Sequence, residues 1–380
     1  MSQTSAKKVL IMAGGTGGHI FPALSIARHL QSMGVVVEWL GTRKGMESRI
    51  VPETDIPIHY ISVSGLRGKS RLTILLSPFV ITLAICQALA KLWSCKPCCV
   101  LGMGGFVTGP GGVAAWMLGK PLLIHEQNAI AGLSNQILSP LATVVMEGFA
   151  GAFKRKQMLS KRSLIRFKPD KAIHVGNPLR KEVLDCEPPE KRFAGREEQR
   201  IRLLIVGGSL GAQAINRFLP EFLAEYSNAN KVELWHQCGK NNLDDCLQAY
   251  KQAGINTDEI KVSAFIDDMA QAYAWADVVL CRAGASTVSE IAAVGVPAVF
   301  VPFPHAVDDH QTENALILQK LGAAWIIQQH ELSSTKLADI LDRFLANRAL
   351  ILQTALLAQD VAKPEATETA AGYCMEACYA

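Results

Sequence analysis

Several familiar fingerprints are missing from this chain, and each absence removes a class of chemistry. None of the glycine turns at 14–18, 102–112 and 207–212 leads into Lys-Ser or Lys-Thr, which excludes a Walker-type phosphate loop at these turns. The glycine turns at 14–18 and 207–212 both miss the dinucleotide pattern. Ile20 stands where a further glycine is required, and Ser209 replaces the second glycine of the other turn. Glu38 also sits inside its strand candidate rather than at the end, so a nicotinamide oxidoreductase is disfavoured. No Asp-x-Asp triplet occurs, and no metal is expected at the site. Ten cysteines are present, but Cys95 and Cys98 form a lone CxxC with no second pair at zinc spacing. Cys98, Cys99 and Cys281 fall in apolar runs, so reduced, mostly buried thiols are expected, and Cys374 and Cys378 receive no role. Charged residues are scarce at 19% against 49% hydrophobic, with a mean hydropathy of +0.18. That is apolar for a soluble enzyme but well short of a multispanning membrane protein.

What is present is a repeated alternation of strand, glycine turn and helix, the signature of parallel sheets covered on both faces. Strands are predicted at 8–13, 35–40, 57–62, 98–103, 121–125 and 142–146, with helices near 22–33, 72–92, 110–118 and 130–139. The pattern pauses around Val175–Pro178, and the polar stretch from Cys186 to Arg200 reads as a hinge. A second series opens with RIRLLIVGG and continues through strands near 231–236, 260–265, 277–281, 297–301 and 324–327. The expected architecture is α/β, with two doubly wound Rossmann-like domains facing across a cleft. One comprises 1–180 plus a tail of about 361–380, the other 181–360. Ligands of such sheets bind beyond the carboxyl ends of the strands.

Two segments bear on location. From Leu72 to Ala90 no charged residue occurs, a length that invites a transmembrane reading. Its place between two strands of one sheet argues against a span, and Arg67, Lys69, Arg71 and Lys91 around it suit a helix lying in a membrane interface. Between Phe153 and Lys171 eight basic residues face Asp170 alone, a local +7 in a chain of net +4. Such a segment is either a solvated insertion or an attraction for anionic lipid. Too few aromatics interleave it for a nucleic-acid platform, so no nucleic-acid partner is expected. The apolar run KVLIMA is too short for a secretory h-region, so a cytoplasmic chain is expected.

The residues that carry chemistry cluster at strand ends. Gly14-Gly15-Thr16-Gly17-Gly18 offers backbone donors at a helix start, and His19 adds a group that takes a proton near neutral pH. A second turn runs from Gly102 through Gly104, Gly105 and Gly109 to Gly112. His125-Glu126-Gln127-Asn128 ends the strand PLLIH, four hydrogen-bonding side chains suited to a polyhydroxylated ligand. In the second half, Gly207-Gly208-Ser209-Leu210-Gly211-Ala212 suits a diphosphate. The run from Arg282 to Glu290 places a carboxylate early in a helix, where it either offsets the dipole or binds ribose hydroxyls.

Together these motifs resemble the family of peptidoglycan glycosyltransferases that add N-acetylglucosamine to lipid I. The matches run in order: GGTGGH (14–19), GLRGK (65–69), GMGGFVTGPGG (102–112), HEQN (125–128), VGNP with Arg180, GGSLGA (207–212), FIDDM (265–269) and the Ser/Thr-rich run ending at Glu290. The resemblance implies a GT-B fold and an enzyme docked on the cytoplasmic face of the inner membrane through anionic lipid. It implies UDP-N-acetylglucosamine as donor and lipid I as acceptor. By that likeness Thr16, Gly17, Gly18, Asn128, Arg180, Ser209, Ile266, Ala285, Ser286, Thr287, Val288, Ser289, Glu290 and Gln311 contact the donor. Gly104, Gly105, His125 and Asn135 lie towards the acceptor, and the catalytic base is His19 or Glu126. The implied reaction inverts configuration: the muramoyl C4 hydroxyl displaces UDP, with no cofactor. An epimerase acting on the same sugar nucleotide and a non-catalytic sugar-nucleotide sensor are the rival readings.

Overall fold

The computed structural model describes residues 7–64, 77–159, 171–196, 198–208 and 210–379; Val307 and residues 156–159 are described by their backbone alone. The GLRGK motif, Ser209 and most of the basic stretch lie outside the described residues. The chain divides into two units, Met1–Arg180 with Lys363–Ala380, and Lys181–Ala362.

The first unit is a seven-stranded parallel sheet in the order β3-β2-β1-β4-β5-β6-β7. Its strands are β1 Lys8–Ala13, β2 Val36–Gly41, β3 Ile58–Tyr60, β4 Cys99–Gly104, β5 Leu122–Glu126, β6 Val144–Glu147 and β7 Ala172–His174. Because successive side chains alternate across a strand, Val9 and Ile11 enter one buried layer while Leu10 and Met12 enter the other. Both faces must therefore be covered. The unpredicted seventh strand is three residues long and its side chains are largely exposed, so it carries little of the apolar signal by which strands are read.

The second unit repeats the winding with six parallel strands ordered β10-β9-β8-β11-β12-β13. These are β8 Ile201–Val206, β9 Val232–Gln237, β10 Lys261–Ser263, β11 Val278–Cys281, β12 Ala298–Phe300 and β13 Ala324–Ile326. In both units the strand order reverses beside the first strand, which puts a crevice between the loops after β1 and β4, and another between those after β8 and β11.

Three expectations need correction. The first helix begins at Gly17, not near Pro22; Thr16 is extended and the helix runs Gly17–Ser32 with Pro22 inside it. A proline this close to the start removes only one bond of the first turns, so the helix tolerates it. The chain divides between Arg180 and Lys181, as the expected bounds have it, but the stretch from Cys186 to Arg200 expected as a hinge lies wholly within the second unit. That stretch is packed into the second unit, where buried Arg192 donates to the carbonyls of Val294 and Gly295 and Phe193 joins the core. Finally, reduced thiols are not the rule throughout: Cys98 and Cys378 form a disulfide. The C-terminal helix Ala366–Tyr379 returns to the first sheet through its small residues Ala370, Ala371 and Ala377, which carries Cys378 to the start of β4.

The apolar helix described as Ser77–Cys95 crosses from β3 to β4. By length and composition alone it could span a membrane. Only Ala84, Ala88, Leu92 and Cys95 are buried, whereas Phe79 is 75% and Trp93 72% exposed. Trp116 and Met117, at the end of the adjacent helix Thr108–Met117, are exposed too.

Candidate active site

In the first unit, β1 delivers the turn Gly14-Gly15 to the helix at Gly17, and His19 lies in that helix's first turn. A buried carboxylate shapes the turn. Glu47 accepts from the Gly15 N–H at 3.0 Å with one oxygen, and from the Thr42 N–H and hydroxyl at 2.8 and 2.7 Å with the other. The loop after β4 closes on the same place. A Cβ on Gly104 would lie 2.7 Å from His19 Cε1 and Nδ1, so the imidazole rests directly on glycine backbone. Gly105 has φ +85°, and a Cβ there would fall on the Gly14 carbonyl. The buried Thr108 hydroxyl ties these loops together, accepting from the Gly104 N–H at 3.1 Å and lying 3.2 Å from the Met12 carbonyl.

At the end of β5, four side chains serve different ends. His125 is fully buried; its Nε2 is 2.9 Å from the Gly176 carbonyl, and burial pushes its pKa down to about 4. Gln127 Nε2 is 3.2 Å from His125 Nδ1, and Gln127 Oε1 is 2.8 Å from His19 Nδ1. Glu126 is 1% exposed and accepts from the Asn128 N–H and side-chain amide, the Gly132 N–H and the Asn135 amide, all at 2.9–3.1 Å. His125 and Asn135, expected to face an acceptor, lie behind the surface instead. Asn135 is 2% exposed and its amide is bonded to Glu126 and to the His125 carbonyl. Asn177, from the VGNP motif, donates to the Gln127 carbonyl at 3.0 Å. Arg180 places its guanidinium 6.0 Å from the centre of the Phe21 ring.

In the second unit, the turn after β8 is held by a reciprocal clamp. The side-chain amide of buried Gln237 accepts from the Gly208 N–H at 3.0 Å and donates to the Gly208 carbonyl at 2.9 Å. Asn242 holds the Leu210 carbonyl at 3.1 Å. After β11 the helix Ala285–Val294 starts from Gly284 without a side-chain cap. The Ser286 hydroxyl beside that start is buried and has no hydrogen-bond partner among the described residues. Glu290, in the second turn, accepts from the Tyr273 hydroxyl at 3.0 Å. Gln311 accepts from the N–H groups of Ala283 and Phe303 at 3.3 and 2.9 Å, fixing the loop from which the helix springs. Ile266 is buried near the end of β10.

The structure thus brings His19, Gly104, Gly105, His125, Glu126, Asn128 and Asn135 into one network, and joins Gln311 to the loop that opens the Ala285–Val294 helix in the other unit. Sequence reading passed over Glu47 and Glu147. Glu147 accepts from the Gly151 and Phe153 N–H groups at 2.7 and 3.0 Å. The available signal was a carboxylate one or two residues from a glycine, Gly45 before Glu47 and Gly148 after Glu147.

Comparison with known proteins agrees with this layout. Residues 9–147 match the Glycosyltransferase family 28 N-terminal domain, and residues 202–369 the Glycosyltransferase family 28 C-terminal domain. The chain is 48% identical over 377 residues to the UDP-N-acetylglucosamine–N-acetylmuramyl-(pentapeptide) pyrophosphoryl-undecaprenol N-acetylglucosamine transferase of Marinobacter nauticus, covering 99% of each chain. It is 48% identical to the protein of the same name from Pseudomonas fluorescens, covering 97% of this chain and 98% of that one. Among solved structures, MurG of Acinetobacter baumannii superposes with a TM-score of 0.77 at 39% identity, covering 97% and 99% of the two chains. The two parallel-sheet units are those of a GT-B glycosyltransferase. With both domains of the family present in order, and near-half identity along the whole length, this chain belongs to glycosyltransferase family 28.

Proposed function

We infer that this chain is an inverting hexosyltransferase that moves N-acetylglucosamine from UDP-N-acetylglucosamine to the C4 hydroxyl of the muramoyl sugar of lipid I, forming lipid II for peptidoglycan synthesis. The full-length likeness to transferases named for this reaction carries the inference. In this reading the acceptor oxygen forms a bond to the anomeric carbon as the bond from that carbon to the UDP oxygen breaks. The hydroxyl proton passes to His19, the base. His19 is favoured over Glu126 because the oxygens of Glu126 are already engaged by N–H donors, whereas His19 sits at a helix start on glycine backbone. Charge developing on the departing diphosphate is met by N–H groups at helix starts and by Arg180, with the ribose on Glu290 and the nucleotide against Ile266, Ala285–Glu290 and Gln311. Thr16, Gly17, Gly18 and Asn128 complete the donor contacts, and Ser209 is assigned by sequence alone. Gly104 and Gly105 let the loop after β4 pack closely on His19 and the Gly14 carbonyl at the acceptor side, with His125 and Asn135 supporting it from behind.

The exposed apolar face of Ser77–Cys95, with Trp116 and Met117 beside it and Lys91 and Lys96 nearby, supports peripheral attachment to the cytoplasmic face of the inner membrane. Phe79→Asp with Trp93→Glu is expected to abolish co-sedimentation with vesicles containing anionic lipid while leaving turnover of a soluble acceptor intact.

The decisive assay supplies labelled UDP-N-acetylglucosamine with a soluble lipid I analogue and looks for a β-linked disaccharide. Conversion of the UDP-sugar to its C2 epimer without acceptor would favour an epimerase. Turnover abolished by EDTA and restored by Mg²⁺ would refute the metal-free account of the leaving group.

A further inference from the structure

Four residues from three segments form a chain whose donors and acceptors can be assigned step by step. The Gly176 carbonyl can only accept, so His125 Nε2, 2.9 Å away, carries hydrogen. His125 is fully buried and neutral, so its Nδ1 is left as a lone pair. Only the NH₂ end of the Gln127 amide can donate to that lone pair, at 3.2 Å, and the same nitrogen is 3.3 Å from the His125 carbonyl. The amide orientation is therefore set: its Oε1 faces His19 Nδ1 at 2.8 Å, and an amide oxygen can only accept. His19 Nδ1 must carry the hydrogen. In neutral His19 the lone pair then resides on Nε2, on the opposite edge of the ring. Gly104 closes the ring's other freedom, since the imidazole rests on its Cα.

We propose that Gln127 is a positioning residue that selects the Nδ1–H tautomer of His19 and presents Nε2 as the proton acceptor, with buried His125 setting the direction of the amide. The inference rests on His19 being the base. Free histidine side chains favour the other tautomer, in which Nε2 carries hydrogen and cannot take the acceptor's proton. A wrong tautomer with intact geometry is costly in enzymes whose histidine must be so oriented. The supporting partner is also neutral.

The test begins with ¹⁵N-histidine spectra of the whole protein at neutral pH, with His19 assigned by comparison with His19→Ala. The Nδ1–H pattern is expected; an Nε2–H pattern for His19 overturns the proposal. Gln127→Leu is expected to lower kcat by about 10–100-fold, with KM for UDP-N-acetylglucosamine within about twofold, and to add no further loss in a His19→Ala background. Equal losses in both backgrounds, or an unchanged kcat in Gln127→Leu, overturn it. Gln127→Glu keeps an acceptor for His19 and covers the case in which Leu disrupts folding. It is expected to move the acid limb of the kcat/KM profile upward by about one pH unit; an unmoved limb counts against the proposal. Full turnover in His19→Ala would instead refute the base itself, while the spectra still report the tautomer separately.

Discussion

The two units share a strand order and a glycine turn after the first strand, yet they support their turns in opposite ways. In the second, the buried amide of Gln237 grips both backbone groups of Gly208, and the turn contains no titratable side chain. In the first, the buried amide of Gln127 grips a histidine. Each unit also buries a histidine. His236 bonds Tyr250 and Asn216 and stays within the core, whereas His125 connects through Gln127 to His19. Burial holds both rings neutral by the same desolvation, with pKa values pushed down to about 3 and about 4. The difference shows that desolvation alone assigns no function. What matters is whether the buried group's second atom reaches a residue at the surface.

The sharpest way to break the comparison is to remove one group from each unit. His19→Ala is expected to cut kcat by about 10²–10⁴-fold with donor affinity retained, as for a lost general base. Glu290→Ala is expected to raise the donor KM by about 10–100-fold through lost charged hydrogen bonds, with a smaller effect on kcat. Steady-state kinetics in the disaccharide assay distinguish these, and the reverse pattern would dissolve the division of labour.

Acid should unsettle both units. The folded pKa of each buried histidine lies below the ordinary value of about 6.5, so the unfolded chain binds more protons between the two. The stability they contribute is full above pH 6.5. It declines as pH falls, through about 4 for His125 and about 3 for His236, reaching roughly 2 kcal/mol lost per histidine at pH 5. Urea titrations at pH 7.5 and 5 measure this, and His236→Gln should shrink the drop in its own unit only.

Glu126→Gln asks whether its carboxylate is scaffold or base. The four N–H groups it accepts from predict a stability loss of about 1–3 kcal/mol and turnover within about tenfold of the parent. Abolished turnover at an unchanged melting temperature would move the base from His19 to Glu126. The smallest effect is expected at Gly208, where φ is +82° but nothing lies within 4 Å of an added Cβ, so Gly208→Ala costs about 1 kcal/mol of backbone strain. Gly105→Ala, at φ +85° and blocked by the Gly14 carbonyl, should cost more, and comparable melting temperatures would show that the first turn is not held as tightly as the structure implies.

Much of the fold was legible because apolar runs such as VLIMA and LLIV alternate with glycine turns, and each run must be buried on both faces. Legibility failed where that signal is weak or non-local. β7 is short and mostly exposed, and the stretch around Phe193 is polar in sequence yet docked through a buried Arg192. His125 read as ligand-facing because polar residues at strand ends usually are, and Asn135 because the family resemblance put it on the acceptor side; here their partners are Gln127 and Glu126. Glu47 escaped notice because its three donors come from Gly15 and Thr42, on either side of a whole helix and strand.

By itself the sequence determined the doubly wound class, the glycine turns at strand ends and the presence of an imidazole at a helix start, all consequences of local periodicity and backbone freedom. Tertiary structure alone decided which nitrogen of His19 carries hydrogen, that the Glu126 oxygens are occupied, and that Cys378 meets Cys98 across 280 residues. Hydrogen-bond direction and burial depend on neighbours that only the assembled sheet brings together.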